Sequence, residues 1–234
     1  MSTAENTLLL AHGAWHGSWC WERLLPALAE RGLSAVTVDL PSAAPDGNGE
    51  AGLKEDSLAL HTALDRIDGP ATVVAHSHAG VPATIAAAEN RRITRLVYLA
   101  AHQLDVGESL LGVPRQAPAR PARGTVPPLD NPRESFYSEL PEREAERAVR
   151  CLTPQDLRSL SEPVTAAGWR EVPSAYALCE NDRAFAPQLQ ERLAIRADSV
   201  RRLPSGHSPF LSMPDRLADL LNDLHPRTAG GADE

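Results

Sequence analysis

Six short strand-like runs recur along this 234-residue chain, at residues 7–11, 34–40, 71–75, 94–101, 173–179 and 198–203. Most are followed by apolar residues at helical spacing. Leu24, Leu25, Leu28 and Leu33 recur after Ser18, and further helices are expected at 53–67, 79–89, 187–197 and 209–224. Short apolar strands that do not alternate with polar residues are buried on both faces, and the intervening helices supply the cover. The expected fold is therefore α/β, with a mainly parallel sheet of about six strands and helices on both faces. The alternation fails between Gln103 and Val172. That stretch opens with a Pro/Arg-rich section at 113–131, continues as charged helical material at 134–160, and with Pro173 takes in ten of the 20 prolines. So long a break reads as an insertion above the sheet. Residues 1–102 and 171–228 then form the core, 103–170 a cap, and 229–234 a frayed acidic tail.

The segment Val73-Val-Ala-His-Ser77-His-Ala-Gly80 carries the first chemical signal. A buried strand ends on a serine, a helix follows at once, and small residues stand two positions before and after. That is the layout of a nucleophile elbow, G-x-S-x-G, with alanine at both glycine positions. Ser77 Oγ is expected at the tip of the sheet, with the His78 backbone N–H aimed at the same space. Taken alone, such a turn is also an ordinary strand-to-helix junction. Three further segments change its weight. His12-Gly13-Ala14 follows the first strand, where it would supply a second oxyanion N–H from Ala14. Asp182 follows the fifth strand, and His207 follows the sixth in Leu-Pro-Ser-Gly-His-Ser-Pro-Phe. The order Ser, Asp, His is that of a hydrolytic triad on this kind of sheet. Two other acids, Glu180 and Asp105, compete with Asp182 for the third role.

On the words LLLAHGAWHGSWCWE at 8–22, VVAHSHAG at 73–80, WREVPSAYALCENDRAF at 169–185 and LPSGHSPFLSMP at 203–214, the chain resembles the α/β-hydrolases. Within them it is similar to the group of plant methylesterases, hydroxynitrile lyases and bacterial hydrolases of about this length. The resemblance spans nearly the whole chain. It implies an α/β-hydrolase fold, Ser77 as nucleophile, His207 as general base, Asp182 as its orienting acid, and Ala14 and His78 as oxyanion donors. It also implies a cofactor-independent serine hydrolase that cleaves a carboxylic ester or thioester through an acyl-enzyme. Three departures stand out. The family usually has glycine at positions 75 and 79, which leaves this elbow differently strained. It usually has an apolar residue at 78. The lyase branch has threonine where this chain has Gly13, and lysine where it has Ser208. Those two absences favour hydrolysis over a lyase, cyclase or C–C bond-cleaving reaction. A non-catalytic binding protein is the remaining alternative.

Composition narrows the rest. One lysine against 22 arginines leaves little room for Schiff-base or P-loop chemistry. A net charge of −8 argues against a nucleic-acid or anionic-membrane surface, and no segment approaches a membrane span. A small-molecule substrate is expected, to a monomer or homodimer. The residues at 1–6 lack the basic flank of a signal peptide. With Cys20, Cys151 and Cys179 expected to be reduced and buried, that points to the cytoplasm. No metal site is expected, because the histidine spacing fits no zinc pattern. Trp15, His16, His102, Phe185 and Phe210 are candidate pocket walls, since each lies near a strand end or beside a triad residue. His78 also has a side chain that would make the pocket more polar than is usual for the family. His12 and His76 are expected to brace the loops. Trp19 and Trp21 are expected in the core, while Phe136, Tyr137 and Trp169 belong to the insertion and face either pocket or core.

Overall fold

The computed structural model describes residues 6–112 and 121–225. The tail at 229–234 lies outside them, as do the first residues and part of the Pro/Arg-rich section. The sheet is fully parallel, in the order β2 (Ala35–Val38), β1 (Thr7–Ala11), β3 (Ala71–His76), β4 (Ile93–Leu99), β7 (Ser174–Cys179), β8 (Ser199–Leu203). The four inner strands are buried along nearly their whole length, and successive residues feed opposite faces. Leu9, Ala11, Val73 and Ala75 join one apolar cluster, while Leu8, Leu10 and Val74 join the other. Helices α2 (Leu53–Leu64), α3 (Gly80–Glu89) and α7 (Pro187–Ala194) cover the first face. The second is covered by α1 (Leu24–Ala29), α8 (Pro209–Ser212) and α9 (Pro214–Leu224). The edge strand β8 is different: Val200, Arg201 and Arg202 are exposed, and charge there blunts the free edge.

Two helical expectations are corrected. The stretch 209–224 is not one helix. Met213 leaves helical geometry at φ −146° and ψ 58°, and Pro214 opens α9, because proline fits the first helical position and not an interior one. Nor is 134–160 continuous. It holds α4 (Pro132–Tyr137), α5 (Glu142–Arg150) and α6 (Leu157–Ser161), with β6 (Gln155–Asp156) paired antiparallel to β5 (Thr125–Val126). Prolines 132 and 141 open the first two helices, and Pro154 stands before β6. A cysteine expectation is corrected too: Cys20 and Cys179 are buried but Cys151 is exposed, at the end of α5, and all three are free thiols. Among the described residues no helix is long and apolar enough to cross a membrane.

Candidate active site

The carboxyl ends of β1, β3, β4, β7 and β8 converge on one cavity of about 620 Å³. Ser77 stands at the end of β3 with φ 53°, a left-handed conformation that a non-glycine residue rarely holds. The turn is pinned on both sides. Its carbonyl accepts the His102 N–H at 3.1 Å, and a Cβ added at Gly80 would lie 2.7 Å from the His102 carbonyl oxygen. The close backbone approach thus falls at Gly80, while Ala75 and Ala79 are simply buried. On the other side, a Cβ at Gly13 would sit 2.8 Å from His76 Nδ1 and 2.9 Å from Ser77 Cβ. The loop after β1 can lie against the serine only because position 13 has no side chain.

His207 and Asp182 meet beneath the same cavity. The His207 Nδ1–H donates to Asp182 Oδ2 at 2.7 Å, which makes Nε2 the ring's other nitrogen. The His207 carbonyl accepts His76 Nε2–H at 3.0 Å, so the residue before the serine braces the loop that carries the imidazole. Asp182 is 5% exposed, and its carboxylate is saturated. Oδ1 accepts the N–H groups of Ala184 and Phe185, each at 2.8 Å, and Oδ2 accepts Gln190 Nε2 at 2.8 Å besides the imidazole. A carboxylate with that many donors is held in one orientation. The competing Asp105 is occupied elsewhere, by Arg170 and the Val106 N–H, and Glu180 lies beside Arg202 at 3.7 Å.

Gln190 was not among the residues singled out in the sequence. It is fully buried in α7, donates to the Phe185 carbonyl at 2.7 Å as well as to Asp182, and accepts the Cys179 N–H at 3.0 Å. It ties the acid to the end of β7. In the sequence it is one of two glutamines in a polar helix, with nothing to mark it.

The Trp15 side of the cavity is held by residues 103–170 as much as by the rest of the chain. Trp15 is at φ 63°, and three insertion residues hold it. Its N–H donates to Gln155 Oε1 at 3.1 Å, its carbonyl accepts the Thr153 N–H at 2.9 Å, and its indole N–H donates to the Val126 carbonyl at 3.2 Å. Gln155 is itself buried and donates to Ser42 Oγ at 2.7 Å and Ser159 Oγ at 2.8 Å. Ser42 in turn donates from Oγ to the buried Asp56 carboxylate at 2.6 Å. Burial pushes Asp56 up to about 7, and its Oδ2 lies 4.0 Å from Nε2 of His78, which burial pushes down to about 4.

Ala14, Trp15, Ser77, His78, His102, Phe185 and His207 line the cavity together. His102 stacks on Phe185 with ring centroids 4.3 Å apart, and burial holds it near 3, so its ring is neutral. His16 and Phe210 lie outside the lining. His16 donates to the Ala14 carbonyl and accepts Tyr137 O–H at 2.8 Å, beneath the loop after β1. Phe210 is packed against Trp21 and His76 at 4.8 and 4.9 Å. His12 accepts the Leu40 N–H at 3.0 Å and so fixes the loop after β2. The insertion contributes Glu108, Leu110, Leu129, Phe136 and Leu160 to the walls, whereas Tyr137 is buried on His16 and the Trp169 indole donates to the Leu104 carbonyl. Among the described residues, no three His, Cys, Asp or Glu side chains are grouped to hold a metal.

The "Alpha/beta hydrolase family" model matches residues 8–220. The chain belongs to the α/β-hydrolase family and is an enzyme of that class. Its relatives include esterases. It is 27% identical to an α/β hydrolase of Aspergillus novofumigatus, over 94% of this chain and 96% of that one. It is 26% identical to putative methylesterase 14 of Arabidopsis thaliana, a chloroplastic protein, over 95% of this chain and 73% of that one. Among solved structures it is similar to an Arabidopsis methylesterase, with a TM-score of 0.80 and 25% identity, over 94% and 98% of the two chains.

Proposed function

We propose that this α/β hydrolase cleaves carboxylic esters or thioesters of small to medium-sized organic molecules through a Ser77–His207–Asp182 triad. The observation that carries the reading is a serine in left-handed backbone geometry sharing one cavity with a histidine whose Nδ1 is bonded to a saturated, buried carboxylate. In this reading His207 Nε2 takes the Ser77 proton as Oγ attacks the substrate carbonyl. The tetrahedral oxyanion is met by the backbone N–H groups of Ala14 and His78, each worth roughly 3–4 kcal/mol in the transition state. Collapse expels the alcohol or thiol, which receives the proton from His207, and leaves the acyl group on Ser77. Water, deprotonated by the same imidazole, then releases the acid. Asp182 keeps the imidazole in the required tautomer and stabilises its charged form. The segment 103–170 acts as the cap, since its residues supply walls of the cavity and hold Trp15. The cytoplasm is the compartment that fits three free thiols.

A lyase reading is disfavoured by one contact: the threonine of that branch would have to place its Cβ where His76 and Ser77 already stand. The test combines labelling with turnover. A fluorophosphonate should form an adduct on Ser77, and Ser77→Ala should lower p-nitrophenyl acetate hydrolysis by at least about a thousandfold with its thermal midpoint unchanged. Turnover that persists in Ser77→Ala, or an unlabelled Ser77 in a protein that turns substrate over, contradicts the acyl-enzyme. Ligand binding with no turnover over a broad ester panel would point to the non-catalytic alternative.

A further inference from the structure

The cavity carries one uncompensated charge. Its ionisable lining consists of His78, His102, His207, Glu108, Arg192 and Arg196 besides the serine. Burial keeps His78 and His102 neutral, and His207 is committed to Asp182. Arg196 grips both carboxylate oxygens of Glu108, at 2.6 and 2.7 Å, and donates to the Gln103 carbonyl at 2.7 Å. That pair closes on itself. Arg192 remains, and among the described residues it has no carboxylate within ion-pair distance. Its sequence neighbour Glu191 accepts from Arg202 at 3.0 Å instead.

The position of Arg192 is not that of an ordinary surface arginine. Leu189, Arg192, Leu193 and Arg196 all border the cavity, and offsets of three, four and seven residues put them on one face of α7 and the turn that ends it. Arg192 is exposed and still lines the cavity, which sets it at the mouth, beside the half-open Leu129 and Leu189. A guanidinium on an apolar rim is only partly hydrated, so a carboxylate brought there by a bound chain gains a charge-assisted, bidentate contact.

Building on the hydrolase reading above, we infer that the preferred substrates are esters with a carboxylate at the end remote from the scissile carbonyl. Arg192 captures that carboxylate at the mouth while an apolar linker crosses the leucine and phenylalanine walls. Arg192 is on this account a specificity-determining residue that touches the substrate without taking part in bond making.

The experiment compares p-nitrophenyl monoesters of linear dicarboxylic acids with neutral p-nitrophenyl acylates of equal length. For Arg192→Gln, kcat/KM on the best dicarboxylic monoester should fall about tenfold, the equivalent of one good charged contact, and the fall should lie in KM. Neutral esters should change less than about twofold, and Arg192→Lys should restore most of the loss. Equal behaviour of the two ester series in the Gln variant, or a wild-type preference for the neutral ester, overturns the inference while leaving the triad untouched. A second measurement reads the subsite without chemistry: calorimetric binding of a dicarboxylic acid monomethyl ester and its neutral dimethyl ester to the Ser77→Ala protein. Tighter binding of the monoester, lost on adding Arg192→Gln, supports the subsite even if hydrolysis fails; equal affinity overturns it.

Discussion

The two sides of the cavity are held by different means. On the sheet side, apolar strands fix the backbone, and the polar groups close on one another: His207 on Asp182, Asp182 on Gln190 and two N–H groups, His76 on the His207 carbonyl. On the insertion side a hydrogen-bonded chain runs from Trp15 through the buried Gln155 and Ser42 to Asp56. A neighbouring carboxylate, Asp156, accepts the Gly49 and Ala51 N–H groups at 3.1 and 2.9 Å and so ties the loop after β2 to the insertion. The sheet side tolerates little positional change because its geometry is set by close packing. The insertion side is set by polar partners that can be removed one at a time.

The largest expected effect breaks the sheet side with acid. Five histidines at the carboxyl end of the sheet, the buried His12, His16, His76 and His78 and the half-buried His102, are held below their usual range by desolvation, whereas 103–170 contains no histidine. In the unfolded chain these rings take up protons near pH 6.5, but in the folded protein they resist, His16 and His102 down to about 3 and His78 to about 4. Their contribution is therefore complete above pH 6.5 and is lost as pH falls below it, at roughly 1.4 kcal/mol per pH unit for each ring. Asp56 opposes this, because its folded form keeps a proton up to about 7 and the unfolded form only to about 3.8; one such group offsets one ring. Calorimetry should show the thermal midpoint dropping steeply between pH 6.5 and 5, and a midpoint level across that range would refute the assignment of neutral buried rings.

Gln190→Leu sharpens the comparison from within the triad's support. It removes one donor to Asp182 and strands the Cys179 N–H and the Phe185 carbonyl. We expect kcat to fall about a hundredfold, near 2.7 kcal/mol, with KM within about twofold, and an equal loss in both constants would mean that Gln190 only maintains the pocket. Gln155→Leu is the matching cut on the insertion side. Freeing the Trp15 N–H should lower kcat about tenfold, near 1.4 kcal/mol, through a less ordered oxyanion loop. An unchanged kcat in a folded Gln155→Leu protein would show that the insertion covers the site without shaping it.

The same division explains what could be read from the chain. The four inner strands were legible because each is a run of apolar residues buried on both faces, whereas the edge strands β2 and β8 carry exposed residues and showed only as short runs between helices. The elbow, the His12-Gly13 loop and the loops of Asp182 and His207 were legible because each sits where such a strand ends. Gln190 and Gln155 were not, since each acts on partners that only tertiary structure brings near: Gln190 reaches back to Cys179, and Gln155 reaches Trp15 across 140 residues. His16 stands one residue from Trp15 and Phe210 three from His207, both in the lining, and sequence proximity gave no sign of which way their rings turn. The break at Met213-Pro214 and the two-residue strands of the insertion escaped for a different reason, being too short to leave a periodic signal.

Gly13 bears on the history open to this protein. With His76 Nδ1 at 2.8 Å and Ser77 Cβ at 2.9 Å from any added Cβ, no single substitution at that position can install a side chain without displacing Ser77 or His76. A threonine at position 13 therefore requires the end of β3 to move first. Arg192, exposed at the rim, meets no such barrier. Change in this lineage has an open road at the mouth of the cavity and a closed one at its floor.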